Sequence, residues 1–470
     1  MKKLTLCMIV RNEADMIERC LGSVDGIVDE MIIVDTGSTD GTVALCESFG
    51  ATVFPFVWQE DFAGARNDAL EKATGDWILV LDADDEISGN DKRLVRSLMD
   101  NDKAVAYHFI TENWVGDAAN PSLLNYAQLR MFRNRPEFRY EGAIHERMPS
   151  VSRVGSHLVP IHVIHRGYLD DVVSGKQKIE RNMSILKQEL EHSRNDPALL
   201  YYMGNELLRA NRLREALSYF AQSAQELSLP SASTCWLPEL PAKHAFCLWR
   251  TGDPQAALAV LEEALKKNPE YTDLRLQMGS ILLEQNAFDQ ARQTFASCLE
   301  FGETPSHFPS QVGSGTFVPS FFLGMIGLEE RNLDVAIRHF RHSMGMNPDY
   351  KPAVAQLCLC HWLRRDYAAT RQLLAEVESA AADPAWIRFL SHLNEALRTN
   401  TMTADLYEER HLPTLFNCLA ALAGFGYQSE VAQMVLQLPD RMAEHVRQEA
   451  WSYERVAEFW LNALRCLQEV

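Results

Sequence analysis

Apolar residues in the first eighty positions fall into short unbroken runs, separated by segments with helical spacing. Leu4 to Val10, Met31 to Val34, Ala51 to Val57 and Trp77 to Leu81 read as strands. Between them, Asp15 to Val24, Thr39 to Phe49 and Ala63 to Ala73 repeat their apolar positions every three to four residues, as helices do. This alternation predicts a parallel sheet with helices packed on it. In such a sheet, ligand-binding side chains collect at the carboxyl ends of the strands. Arg11 to Glu13, Asp35 and Asp82 to Asp84 all stand there.

From about Ala198 the pattern becomes one of amphipathic helices with an internal repeat. Gly204, Ala245, Gly279, Gly324 and Cys358 place a small residue in each first helix. Ala216, Ala257, Ala291, Ala336 and Thr370 follow in the second helices, and then Phe220, Leu261, Phe295, Phe340 and Leu374. The intervals from Ala245 to Gly279 and from Gly324 to Cys358 are 34 residues, and Asn268-Pro269 and Asn347-Pro348 close those repeats. Small side chains let two helices approach closely, and the larger apolar residue fills the space beside them. The period and the pattern resemble the tetratricopeptide repeat. Two longer intervals carry their surplus in Ser228 to Pro241 and Gly302 to Pro319, which are either loops on the binding side of a solenoid or passive connections. A weaker pair follows at Ala420 and Ala432. The tail from Ala443 to Leu467 reads as a cap of the array or as the contact of a homodimer. Asp171 to Ser193, charged and helical, is read as a connector.

A chain of 470 residues exceeds one compact core. The expected division is residues 1–170, an α/β domain; 171–195, the connector; and 196–470, the helical repeats. The net charge of −19 argues against nucleic acid or anionic membrane as a general partner, because the surface repels phosphate. Any anionic ligand therefore needs local positive charge from arginines or a metal. The ten cysteines form no CxxC pair and mostly sit in apolar patterns, as buried thiols do in a reducing compartment. No apolar stretch reaches the roughly 18 to 20 residues that span a bilayer, and the start of the chain has no secretory pattern. The expected location is cytoplasmic.

Asp82, Ala83, Asp84 and Asp85 follow a wholly apolar strand, so their carboxylates emerge together at its end, with Glu86 beside them. Clustered carboxylates repel one another, and a hard divalent cation is the usual remedy. Asp35 ends another apolar strand, where its carboxylate can accept the imide N–H of a base such as uracil. Ser38, Thr39 and Asp40 also serve as cap residues for the following helix. Asp35-Thr36-Gly37-Ser38 spells an aspartic-protease string, but that chemistry needs a second carboxylate from a matching string, and the chain has none.

Four blocks, CMIVRNE from Cys7, VDTGSTDGT from Val34, DFAGARN from Asp61 and WILVLDADDE from Trp77, resemble in order and spacing the family 2 glycosyltransferases. The resemblance covers about the first third of the chain. With the repeats behind it, the layout is similar to the peptide S-glycosyltransferases of glycocin biosynthesis. It implies a GT-A, Rossmann-like nucleotide-diphospho-sugar transferase domain followed by an all-α repeat solenoid. It also implies a UDP-sugar donor held at Val10, Arg11, Glu13, Asp35, Arg66 and Asp82. Asp84 would bind Mn2+ or Mg2+, with His165 as a further ligand. Glu146 is carried over as the general base, with Asp117 and Glu141 as competitors, and a buried structural role is the alternative for His145 and His165. An ordinary carboxylate is already ionised at neutral pH, so location decides among the three acids.

The resemblance further implies an inverting displacement. A repeat solenoid offers an extended surface suited to a peptide or protein, so the expected acceptor is a serine, threonine or cysteine side chain. Two alternatives stand beside this. One is transfer to a saccharide or cell-envelope precursor, with the repeats used for dimerisation or docking. The other is a scaffold with a relic transferase domain.

Overall fold

The computed structural model describes residues 2–116, 122–169, 172–227, 237–378 and 383–401, with Leu406, Cys418, Leu422 and Met434. Asp117, the repeat-like pair at Ala420 and Ala432, and the tail from Ala443 lie outside the described residues.

Strand β1 (Leu4–Val10) is followed by α1 (Ile17–Val24), β2 (Glu30–Asp35), α2 (Thr42–Ser48), β3 (Thr52–Pro55), α3 (Phe62–Lys72) and β4 (Trp77–Val80). The alternation predicted from the apolar runs is present, with ends shifted by a few residues. Next come β5 (Asp85–Ile87), α4 (Lys92–Ser97), β6 (Ala106–Gly116), β7 (Ser122–Arg133), α5 (Pro149–Val154) and β8 (His157–Leu169). The sheet order is β3-β2-β1-β4-β7-β6-β8-β5. Strands β3, β2, β1 and β4 are parallel, while β7 runs antiparallel to both β4 and β6. Asp85 of β5 pairs antiparallel with His165 of β8.

Both faces of β1 are covered, which accounts for its unbroken apolar sequence. Leu4, Leu6, Met8 and Val10 join Ile17, Cys20, Leu21 and Val24 of α1 in one cluster. Cys7 points to the other face, among Ala69 and Leu70 of α3. Trp77, Leu79 and Ile78 of β4 split between the same two clusters. The strands flanking β1 therefore present the loops after β1, β2 and β4 at one edge.

Beyond the sheet come α6 (Val172–His192), α7 (Pro197–Arg209), α8 (Leu213–Glu226), α9 (Leu240–Arg250), α10 (Pro254–Lys267), α11 (Thr272–Glu284) and α12 (Phe288–Phe301). After strand β9 (Ser310–Gln311) follow α13 (Phe317–Glu329), α14 (Leu333–Met346), α15 (Lys351–Leu363), α16 (Tyr367–Glu378) and α17 (Pro384–Thr399). The chain forms two compact units, Met1–Leu274 with Thr304–Val312, and Arg275–Glu303 with Gly313–Val470. The surplus between Gly302 and Pro319 is tied to the sheet. Ser310 and Gln311 pair with Asn125 and Leu124 of β7 and form the ninth strand. Asp273 holds this segment by accepting from the Gln311 N–H at 2.6 Å, and the Tyr271 hydroxyl donates to the Pro309 carbonyl at 2.7 Å.

The small-residue pattern of the repeats has a steric cause. A Cβ added at Gly204 would stand 2.6 Å from the Phe220 ring, at Gly279 2.5 Å from Phe295, and at Gly324 2.5 Å from Phe340. Those three rings are fully buried, as are Ala216, Ala291 and Ala336. Eight cysteines among the described residues are free and buried. Among the described residues no helix is long and apolar enough to cross a membrane.

Gly324→Ala should lower the unfolding free energy by about 1–3 kcal/mol through overpacking against Phe340. Gly345→Ala, where no atom lies within 4 Å of the new Cβ, should raise it by up to about 1 kcal/mol through helix propensity. Urea titration of both variants checks the pair, and a neutral Gly324→Ala would remove the packing requirement.

Candidate functional site

The loops after β1 and β2 are stitched together by short polar side chains. The Asn12 N–H donates to Ser38 Oγ at 2.9 Å, and Asn12 Oδ1 accepts from the Thr39 N–H at 2.7 Å. The Glu13 N–H donates to Thr42 Oγ1 at 2.8 Å. Asp35 accepts from the N–H groups of Gly37 and Ser38 at 3.2 and 3.0 Å, so its carboxylate shapes its own loop. Gly37 has φ +107°, a conformation suited to glycine. Asp40 accepts from the Thr42 N–H at 3.0 Å, and the helix starts there instead of at Thr39. Val10 is buried at the end of β1, and Arg11 is exposed beside it.

Helix α3 carries Arg66 into the site. Its first turn is capped by Asp61, which accepts from the Gly64 N–H at 3.0 Å. One residue past Arg66, Asn67 clamps the backbone of Tyr140 from both sides, donating to its carbonyl and accepting from its N–H, each at 2.9 Å. The Phe62 N–H donates to the Ala143 carbonyl at 2.8 Å, and Glu141 and Arg147 bridge through their backbones. This loop delivers Glu146 to Arg66, whose Nε bonds to Glu146 Oε1. Arg66 Nη2 meets Asp82 Oδ1 at 2.8 Å. Glu141 is exposed on the same loop and has no ion pair among the described residues.

Asp82 also faces Arg130 of β7, at 3.6 Å from Nη1. The same Nη1 lies 2.8 Å from Asp85 Oδ2. Asp85 accepts from the Asp82 N–H at 2.7 Å and stands 3.0 Å from His165 Nδ1. Asp84 Oδ1 is 3.5 Å from that Nδ1. Charges thus alternate through Glu146, Arg66, Asp82, Arg130, Asp85, His165 and Asp84. Burial alone would raise the pKa of Asp82, but Arg66 and Arg130 outweigh it and hold this carboxyl below its usual range. Burial raises Asp84, with His165 opposing and the charges of Asp82 and Asp85 adding to the rise. Burial would lower His165, but the hydrogen bond it donates to Asp85 and the charges of Asp84, Asp85 and Asp82 raise it overall. Glu13 is pushed up to about 7 by burial and by Asp84, while Lys178 opposes the rise.

One ligand atom each from Asp84, Asp85 and His165 lies within 4.8 Å of the others. Two carboxylates and an imidazole suit a hard or borderline divalent cation such as Mn2+ or Mg2+. Sequence reasoning named Asp84 and His165 for this role and missed Asp85. In the fold Asp85 shares the buried face of β5 with Ile87, a core residue, which the acidic run alone does not reveal. Arg130 was also missed, because an arginine in an apolar strand shows no partner until β7 is placed beside β4. Its Nη2 is held by Gln128 Oε1 at 2.7 Å and Thr111 Oγ1 at 3.4 Å. His145 sits apart from this chain of charges, stacked on Tyr202 at 3.9 Å with Nε2 3.9 Å from Glu206.

Residues 5–152 match the family described as Glycosyl transferase family 2, and residues 248–302 match Tetratricopeptide repeat. A TPR repeat-containing protein of Synechococcus elongatus is 33% identical over 320 residues, covering 63% of this chain and 76% of that protein. The SPbeta prophage-derived glycosyltransferase SunS of Bacillus subtilis is 29% identical over 230 residues, covering 47% of this chain and 53% of SunS. A crystal structure of glucosyl-3-phosphoglycerate synthase from Mycobacterium tuberculosis, in complex with Mn2+, UDP and glucosyl-3-phosphoglycerate, aligns with TM-score 0.21 at 23% identity. That alignment covers 23% of this chain and 44% of that one.

Arg130→Met should lower the unfolding free energy by about 3–5 kcal/mol, since it removes the arginine from the buried Asp85 and from Asp82 and leaves His165 as the cation beside Asp85. Denaturant titration measures this, and a loss below about 1 kcal/mol would mean that the ion pair does not hold Asp85 in place. Burial lowers His145 from its ordinary 6.5 to about 3. The unfolded chain therefore binds the proton more readily, and stability from this group is full above about pH 6.5 and is lost as pH falls towards 3. Against His145→Gln, wild type should lose about 1.4 kcal/mol per pH unit below that point. Paired urea titrations at pH 7 and pH 5 check this, and parallel curves would contradict it.

Proposed function

This chain belongs to the family 2 glycosyltransferases and carries tetratricopeptide repeats, and on that ground we propose that it transfers a hexose from a UDP-sugar to a peptide or protein side chain, with inversion. The observation that carries this is the convergence of Asp84, Asp85 and His165 beside the Asp82–Arg66–Glu146 chain, at the carboxyl ends of the parallel strands. In this proposal Val10, Arg11, Glu13, Asp35, Arg66 and Asp82 hold the sugar nucleotide.

Asp84, Asp85 and His165 would hold Mn2+ or Mg2+, whose charge offsets that developing on the leaving diphosphate. Glu146 accepts the proton of the attacking hydroxyl or thiol. As the acceptor's lone pair forms the bond to the anomeric carbon, the bond to the diphosphate oxygen breaks on the opposite face, and its electron pair leaves with UDP. Arg66, bonded to Glu146, fixes the direction in which that carboxylate points. The peptide acceptor is supported by the packing of α7 on the loop that carries Glu146, where His145 stacks on Tyr202. Repeat helices of this kind suit an extended chain, and they begin at the proposed base.

The test is nucleotide release from a panel of UDP-sugars with matched serine and cysteine peptides, with and without Mn2+. Release should require the metal and be abolished by Asp84→Asn. Glu146→Gln should slow transfer to the serine peptide by about 100-fold or more, and to the cysteine peptide by less, because a thiol with pKa near 8.5 needs less help. An unchanged serine rate would remove Glu146 from the mechanism, and no UDP release from any sugar would remove the donor.

A further inference from the structure

Helix α6 lies outside the residues matched to the transferase family, yet it packs on the elements that build the site. Arg181 sits over the ring of Phe62 at 5.1 Å. Phe62 and Arg66 are one turn apart on α3 and share a face. Asn182 donates to Glu206 of α7 at 3.3 Å, and Gln188 donates to Glu60 at 3.3 Å. Lys178 precedes Arg181 by three residues, on the same face of α6, and is exposed. These contacts fix the register of α6 and leave Arg181 next to the first turn of α3, with Lys178 one turn before it on the same helix.

The charges of the site are unevenly matched. Arg66, Arg130 and His165 are already engaged by Asp82, Glu146, Asp85 and Asp84. Among the described residues, no carboxylate lies within ion-pair distance of Arg11, Lys178 or Arg181. Burial lowers the pKa of Arg181, with Glu206 opposing and the charge of Arg11 adding to the fall, and Lys178 opposes the rise of Glu13, so these charges lie within electrostatic reach of one another. Cations held together against repulsion are stabilised when a multivalent anion lies between them. The end of β1, where Arg11 stands, borders the proposed donor site.

We propose that Lys178 and Arg181 of α6 act with Arg11 as a clamp for the diphosphate of the sugar nucleotide, so that the helix behind the transferase domain completes the donor site. The clamp rests on the nucleotide-donor reading above. Its two α6 residues lie outside both the four sequence blocks and the matched family region. It also supplies the positive charge that a chain of net charge −19 must gather locally to admit a phosphate ligand.

Calorimetric titration of the full chain with UDP and with uridine, in the presence of Mn2+, tests the clamp. Lys178→Ala and Arg181→Ala should each weaken UDP binding by about tenfold, the size of one charge-assisted hydrogen bond, and leave uridine affinity unchanged. Arg181→Lys, which keeps the charge, should recover part of the loss. Lys178→Ala removes an exposed side chain and serves as the variant whose folding is unaffected. If wild type binds UDP and both alanine variants bind it equally well, the clamp is overturned and the donor site stands. If wild type binds no UDP, the donor reading and the clamp fail together.

Discussion

Four carboxylates meet at one end of this sheet, and the site exists because two arginines, Arg130 buried and Arg66 half-buried, stand between them. Arg66 joins Asp82 to Glu146, and Arg130 joins Asp82 to Asp85. Each arginine replaces a repulsion between acids with an alternation of sign. Removing either would leave acids facing acids in a poorly solvated setting, where an uncompensated charge costs several kcal/mol. The fold must therefore bring four separate segments together for the charges to balance, namely the end of β4, helix α3, strand β7 and the loop after β7.

The precision of that assembly comes from neutral hydrogen bonds outside the charged chain. Asn67 holds both backbone groups of Tyr140, so the residue beside Arg66 positions the loop that carries Glu146. Gln128 and Thr111 hold the other end of Arg130. Asn12, Ser38 and Thr39 tie two neighbouring loops. Such amide and hydroxyl pairs are worth about 1 kcal/mol each, but they are directional, and direction is what the charged groups lack.

The repeats follow a different rule. In three hairpins a glycine lies under a phenylalanine, and in each the space left by the missing Cβ is filled by the ring. The insertion after α12 departs from this regularity and supplies β9 to the sheet. The first repeat helices pack in the same unit as the sheet, which places a helical surface beside the loop of His145 and Glu146.

Local patterns in the chain were enough to set the element types and the chemistry of the strand ends. Alternating apolar runs require a βα series because backbone groups and apolar faces must both be satisfied. Glycines and alanines at a fixed period require close helix pairs, and a run of acids after an apolar strand requires compensating charge. Partnership was beyond their reach. Asp85 looks like any member of an acidic turn until β5 pairs with β8 and brings His165 opposite. Arg130 looks like a stray charge in a strand until β7 lies antiparallel to β4. The stretch from Gly302 to Pro319 looks like a loop until two of its residues find the edge of β7. Spacing along a chain fixes which residues share a face of one element, whereas pairing between distant strands decides which charges meet, and that is set by the fold of the whole sheet.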